Sequence, residues 1–174
     1  MKELNRNNKG LWVWAGFEQI YNNQIINYQN IINLTLKGPK FYPHLTLSGP
    51  IKESKDLVLK NFLSLKYIIN RIDISCTDII LTNNFYTSIY IDIYKSKYLD
   101  AIKEVVDEKF GLKNYNNFNP HISLFYGKRN LEKKRFAIKN LKIIPKKITI
   151  DRFYLVYVDE DKENWIIEKT IYLD

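Results

Sequence analysis

The stretch FYPHLTLSGP, residues 41–50, returns 77 positions on (from His44 to His121) as FNPHISLFYG, residues 118–127. Both copies read Phe-x-Pro-His-apolar-hydroxyl-Leu, and they use up the only 2 histidines of the 174-residue chain. In an extended strand, alternate side chains face opposite sides of the sheet. His44 and Thr46 therefore share one face and Leu45 and Leu47 the other, just as His121 and Ser123 stand opposite Ile122 and Leu124. Pro43 and Pro120 bias the residue before them towards extended geometry and cannot donate to a ladder, so each marks the first position of a strand. Each copy thus presents an imidazole beside a hydroxyl on an apolar footing.

Working outward, the segments around the two copies also correspond. LWVWAGF, residues 11–17, reads as a short buried strand. Ile20, Ile25, Ile26, Ile31, Ile32 and Leu34 follow at helical spacing, and Gly38-Pro39 supplies the stop. In the second half SIYIDIY, residues 88–94, alternates as a strand. Leu99, Ile102, Val105, Val106 and Phe110 then line one helical face over 97–110, and Gly111 ends it. Trp12 precedes His44 by 32 positions, and Ile89 precedes His121 by the same 32. After each copy the pattern predicts a helix, over 55–67 and 131–140, and then a strand, over 72–81 and 147–158. WIIEKTIYL, residues 165–173, pairs with that last strand as a hairpin across a turn at 159–164. The expectation is a single α+β domain over residues 1–174, built as a duplicated unit of two pseudo-symmetric lobes. A pseudo-twofold axis would bring the two histidine strands to opposite walls of one cleft.

Composition bounds the rest. With 45% apolar and 26% charged residues the chain is globular rather than disordered. The lone Cys76 has neither a disulfide partner nor a ligand-spaced cysteine, and in SCTD it reads as an inert thiol in mid-strand. The run LWVWAGF is too short for a signal-peptide core or a membrane span, so a cytoplasmic protein with no membrane association is expected, by default a monomer. A net charge of +8 suits an anionic ligand such as RNA or a nucleotide. Abundant Ile, Asn, Lys, Tyr and Phe is also the mark of an A- and T-rich genome, which discounts that inference.

Two imidazoles around one phosphate define a chemistry. Histidine's ordinary pKa of about 6.5 lets one ring be neutral and the other protonated at neutral pH. The neutral ring takes a proton from attacking water, and the protonated ring gives one to the leaving sugar oxygen. The hydroxyls of Thr46 and Ser123 can hold the non-bridging phosphate oxygens. Such a site needs no cofactor and no metal, and two histidines without carboxylates at ligand spacing make a poor metal site. No G-x-S-x-G elbow occurs, and the six glycines form no phosphate-cradling pattern. Of the aromatic residues near the copies, Trp12 and Tyr126 are the candidates for stacking on a base, whereas Phe41 and Phe118 read as packing. Lys40, Lys128 and Arg129 flank the copies and could meet distal phosphates, although they read first as solvated surface charge.

The pair PHLTL and PHISL resembles the H-x-[T/S]-x signature of the 2H phosphoesterase superfamily. Leu11-Trp12, the run YLDAIKEVVDEKF over 98–110, and the F-x-P-H-[apolar]-S-L-x-Y pattern ending at Tyr126 are most similar to its cyclic phosphodiesterase branch. The bacterial RNA branch often carries an arginine after its second motif, where this chain has Phe125-Tyr126. The resemblance implies two antiparallel sheets facing a central cleft with helices outside. It implies His44 and His121 as the catalytic acid/base pair and Thr46 and Ser123 as phosphate ligands, without assigning acid and base. The implied substrate is a small cyclic nucleotide phosphate, a 2′,3′-cyclic nucleotide or the 1″,2″-cyclic phosphate of ADP-ribose, opened to a phosphomonoester. Other branches act on cyclic RNA ends or on cyclic oligonucleotide immune signals. A module that binds RNA without cutting it is the alternative outside enzymes.

Overall fold

The computed structural model describes residues 9–113, 118–141, 144–159 and 165–174. Its elements run β1 (Gly10–Phe17), α1 (Gln19–Leu36), β2 (Leu45–Ile51), α2 (Lys55–Ser64) with a 3₁₀ turn (Leu65–Tyr67), and β3 (Ile72–Leu81). They continue β4 (Ile89–Ile93), α3 (Lys97–Lys109), β5 (His121–Phe125), α4 (Leu131–Ile138), β6 (Lys147–Val158) and β7 (Ile166–Tyr172). The order β-α-β-α-β thus occurs twice, with β7 added.

Local chemistry accounts for the helices. Ile25, Tyr28, Ile32 and Leu36 recur at helical spacing on α1 and are buried, while Lys37 closes the helix in a left-handed conformation. The amide of Gly38 then returns to Asn33 Oδ1 at 2.8 Å. On α3 the cap is Ser96, whose hydroxyl accepts from the Leu99 amide, and Leu99, Ile102 and Val106 face inward. Asn130 caps α4 in the same way through the Lys133 amide.

The α+β class is as expected, but the strands are not two separate sheets. Hydrogen bonding joins them in one antiparallel sheet of order β1-β2-β5-β4-β3-β6-β7, and a further β1–β6 pairing closes the first six into a ring. The length of β6 is the reason. Its first residues, Lys147 to Ile150, pair with β3, while Ile150 to Val158 pair with β1, and Arg152 to Tyr157 pair with β7 on the opposite edge. Residues 160–164 of the expected β6–β7 turn lie outside the described residues. Between β2 and β5 the ring is joined by one pair, Leu45 with Ile122.

One face of the ring and the helices share the main core. Val13, Ala15 and Phe17 of β1, Leu45 and Leu47 of β2, and Ile122 and Leu124 of β5 meet Ile25 and Ile32 of α1 and Leu99 and Val106 of α3. Each such fully buried aliphatic side chain contributes about 1.5–3 kcal/mol. The alternate residues of β1 and β6 carry a second cluster, in which Trp14, Tyr154, Val156 and Val158 pack with Trp12, Trp165 and Ile167. The two faces of β1 therefore serve different purposes, core on one side and an aromatic wall on the other. Cys76 lies half-buried on β3 against the main core, and burial pushes its thiol up to about 11.

Candidate active site

The Leu45–Ile122 pair decides what the two copies of the motif can do together. Both side chains are fully buried in the core. Carrying that antiparallel register one residue either way sets His44 across from Ser123 and Thr46 across from His121. All four then stand on the face opposite the core, with the two histidines diagonal to each other. The field of His121 acts on His44, as this juxtaposition requires.

Each ring is held in the same way. His44 Nδ1 lies 2.6 Å from the Tyr42 carbonyl oxygen, and His121 Nδ1 lies 2.9 Å from that of Asn119. A carbonyl only accepts, so Nδ1 is the donor in both rings, and Nε2 carries the free lone pair or the second proton. The surroundings differ. His44 is 5% exposed. The indole of Trp14 lies flat against it, with ring centroids 3.6 Å apart and planes 8° apart. Burial, opposed by the Tyr42 carbonyl and aided by the field of His121, takes its pKa down to about 4. His121 is only half-buried, with Tyr90 at 5.1 Å edge-on. Burial lowers its pKa too, but the Asn119 carbonyl and the Asp92 carboxylate, directly opposite on β4, pull it back up.

The hydroxyls are unequal as well. Thr46 is half-buried, and its hydroxyl has no hydrogen-bond partner among the described residues. Ser123 is 3% exposed and donates to the Tyr86 carbonyl at 3.3 Å, with the Tyr126 hydroxyl also in hydrogen-bond contact. Gln29 of α1 braces the same strand by donating to the Ser123 carbonyl at 3.4 Å.

Of the base-stacking candidates, Trp12 lies along the aromatic wall, where its ring sits against Gly49. Tyr126 is buried, one face covered by Phe41 at 4.0 Å and its edges met by Tyr86 and Trp165. Burial pushes its hydroxyl up to about 12, so it stays a neutral donor. Phe41 packs as expected, and Phe118 is buried beneath the Lys103 ammonium. Arg129 is tied to the carbonyls of Leu36 and Lys128. Lys40 lines a cleft of about 760 Å³ that Trp14, Trp165, Phe41, Tyr42 and Asn30 also border.

Sequence reasoning missed Trp14, Trp165, Tyr90 and Asp92. Trp14 and Tyr90 were within reach: each is the residue paired with the motif hydroxyl, Trp14 with Thr46 and Tyr90 with Ser123. Nothing in the local sequence marks Trp165, which the chain delivers from its far end to within 6.4 Å of His44. Among the described residues no group of three or more His, Cys, Asp or Glu could hold a metal ion. No helix among them is long and apolar enough to cross a membrane.

A ring of antiparallel strands with two histidine strands meeting at one pair belongs to a known class. The chain is similar to Escherichia coli LigT complexed with 3′-AMP, at TM-score 0.63 and 14% identity, over 95% of this chain and 98% of that one. It is similar to TT0787 of Thermus thermophilus, at TM-score 0.61 and 11% identity, over 94% and 97%. Kluyveromyces marxianus Usb1 matches at TM-score 0.51 and 10% identity, over 96% and 99%. These are 2H phosphoesterases, and the fold is theirs. Within that class the chain belongs to the cyclic phosphodiesterase-like protein family, whose profile matches residues 11–173. A comparison with curated proteins finds no match.

Proposed function

We propose that this phosphoesterase hydrolyses the cyclic phosphate of a small nucleotide to a phosphomonoester, with His44 as base, His121 as acid and no metal. One observation carries the reading: the register at Leu45–Ile122 sets two imidazoles, each with Nε2 unpartnered among the described residues, diagonally across one seam with a hydroxyl beside each. The environments divide the labour. His44, desolvated under Trp14, is neutral and accepts a proton from water at Nε2 as the water oxygen attacks phosphorus. His121, nearer solvent and opposite Asp92, keeps its proton longer and gives it to the sugar oxygen as the P–O bond breaks. Thr46, free to donate, and Ser123, held by Tyr126 and Tyr86, face the non-bridging oxygens. Exchange with solvent then restores both rings.

The relatives support a nucleotide: LigT structures hold 3′-AMP, ATP, NADP+ and phosphate. The 760 Å³ cleft beside Trp14 favours a second reading with the same chemistry, in which the cyclic phosphate terminates RNA or a larger nucleotide. That volume is in the upper part of the ~300–1,000 Å³ range of ligand pockets.

The test is a panel of 2′,3′-cyclic mononucleotides, ADP-ribose 1″,2″-cyclic phosphate and RNA with a cyclic end, in excess EDTA, with products weighed by mass spectrometry. One class should gain the mass of water. His44→Gln and His121→Gln should each lower kcat/KM by about 10²–10⁴. A requirement for divalent metal, or activity that survives both substitutions, would overturn the mechanism. Salt-dependent RNA binding without any product would establish the non-catalytic alternative.

A further inference from the structure

The two halves of the site share a frame, a motif strand paired with a neighbour that brings an aromatic ring to each histidine, and the rings differ in how they cover it. Trp14 pairs with Thr46, and a bulge follows before Val13 meets Ser48. Tyr90 pairs with Ser123, and a bulge follows before Ile89 meets Phe125. The bulges let Trp14 and Tyr90 occupy the same place relative to the two imidazoles, on the strand next to each motif. Trp14 lies on His44 face to face at 3.6 Å, whereas Tyr90 meets His121 at 5.1 Å with planes 62° apart. Trp165, edge-on to both Trp14 and His44, completes a cover over the first ring.

We propose that Trp14 and Tyr90 are positioning residues that make two otherwise equivalent histidines unequal: Trp14 excludes water from His44 and fixes its plane, while Tyr90 leaves His121 open to solvent and to Asp92. The inference rests on the acid/base reading above. The flat stack leaves one side of the His44 ring no room for water, and the Tyr42 carbonyl fixes its rotation, so Nε2 has a single direction in which to work. Both constraints act through the His44 ring, which makes the role of Trp14 one of orientation and dehydration.

Among the described residues the charged and titratable neighbours are few. His121 acts on His44 across the seam, and the Trp14 and Trp165 sides bring only uncharged rings. Around His121 stand Asp92 and Tyr90, both on β4, and His44 opposite. Burial dominates at both rings, and it is stronger at His44.

With 2 histidines in the chain, imidazole NMR titration assigns both rings with one substitution. Trp14→Leu should move the His44 midpoint up by about one unit or more towards the ~6.5 of a free imidazole, with His121 nearly unmoved. The acidic limb of kcat/KM should follow it, and Trp14→Phe should restore most of the difference. Tyr90→Trp should do the reverse, covering His121 and lowering its midpoint towards that of His44. This second variant decides the matter should Trp14→Leu not fold. A His44 midpoint that ignores Trp14, or a His121 midpoint that ignores Tyr90→Trp, overturns the proposal. The titration needs no substrate, so midpoints that respond in a protein inactive on every cyclic phosphate would uphold this device and sink the proposed reaction instead.

Discussion

A neutral imidazole buried beneath an indole has a consequence for stability as well as for chemistry. The folded pKa of His44, about 4, lies below the ~6.5 of an unfolded chain. Between those values the unfolded state takes up a proton that the folded state refuses, so stability falls as pH drops through that window. The loss attributable to His44 reaches about 3 kcal/mol near pH 4 and is absent above pH 7. Denaturant unfolding at pH 7 and at pH 4.5 should show wild type losing about 2–3 kcal/mol more than His44→Gln over that interval. Parallel losses in the two proteins would mean that the ring is not held neutral.

At the scale of elements, the seam is braced from below. Ser48, just beyond the motif on β2, donates to Asp107 Oδ1 of α3 at 2.5 Å, and Lys103 one turn earlier on α3 pairs with Asp107 Oδ2. Asp107 is fully buried and Lys103 nearly so. Asp107→Ala strands a buried ammonium and should cost about 3–5 kcal/mol in a denaturant titration, whereas Lys103→Met with Asp107→Leu should recover most of it. The other end of β2 is shaped by Gly49 at φ 137°, where a methyl group would sit 2.5 Å from the Trp12 ring. Gly49→Ala should therefore lower stability by at least about 2 kcal/mol, read as an earlier unfolding midpoint.

These elements also mark how far the sequence could be read. Strands β3 and β6 have the bounds that alternation and turn residues predict, and the 55–67 helix differs only by ending in a 3₁₀ turn. The aromatic neighbours of the histidines were lost to one residue. An offset fixed on the motifs sets Trp12 level with Ile89, but the pairing sets Val13 level with Ile89 and Trp14 level with Tyr90. The connection from Trp14 to His44 is one residue shorter than that from Tyr90 to His121. A slip of one exchanges the two faces of a strand, so that offset sets Tyr90 against the core-facing Val13 and hides its true counterpart, Trp14. Trp165 and the ring closure through β6 depend on contacts across the whole chain, which no local pattern encodes.

For the molecule as a whole, charge and closure matter most. A net charge of +8 would draw an anionic substrate towards the protein, and mobile ions would weaken that pull. Raising salt from 50 to 200 mM should lower kcat/KM severalfold on a cyclic nucleotide with kcat nearly constant. An unchanged kcat/KM would assign the excess lysine to composition alone. Closure is uneven. The other joints of the ring have at least four paired positions each, and the β2–β5 joint has one. The two histidines and their hydroxyls therefore straddle the thinnest weld in the ring. A guest wedged between the imidazoles would work against a single rung, so this joint is where the wall would yield first.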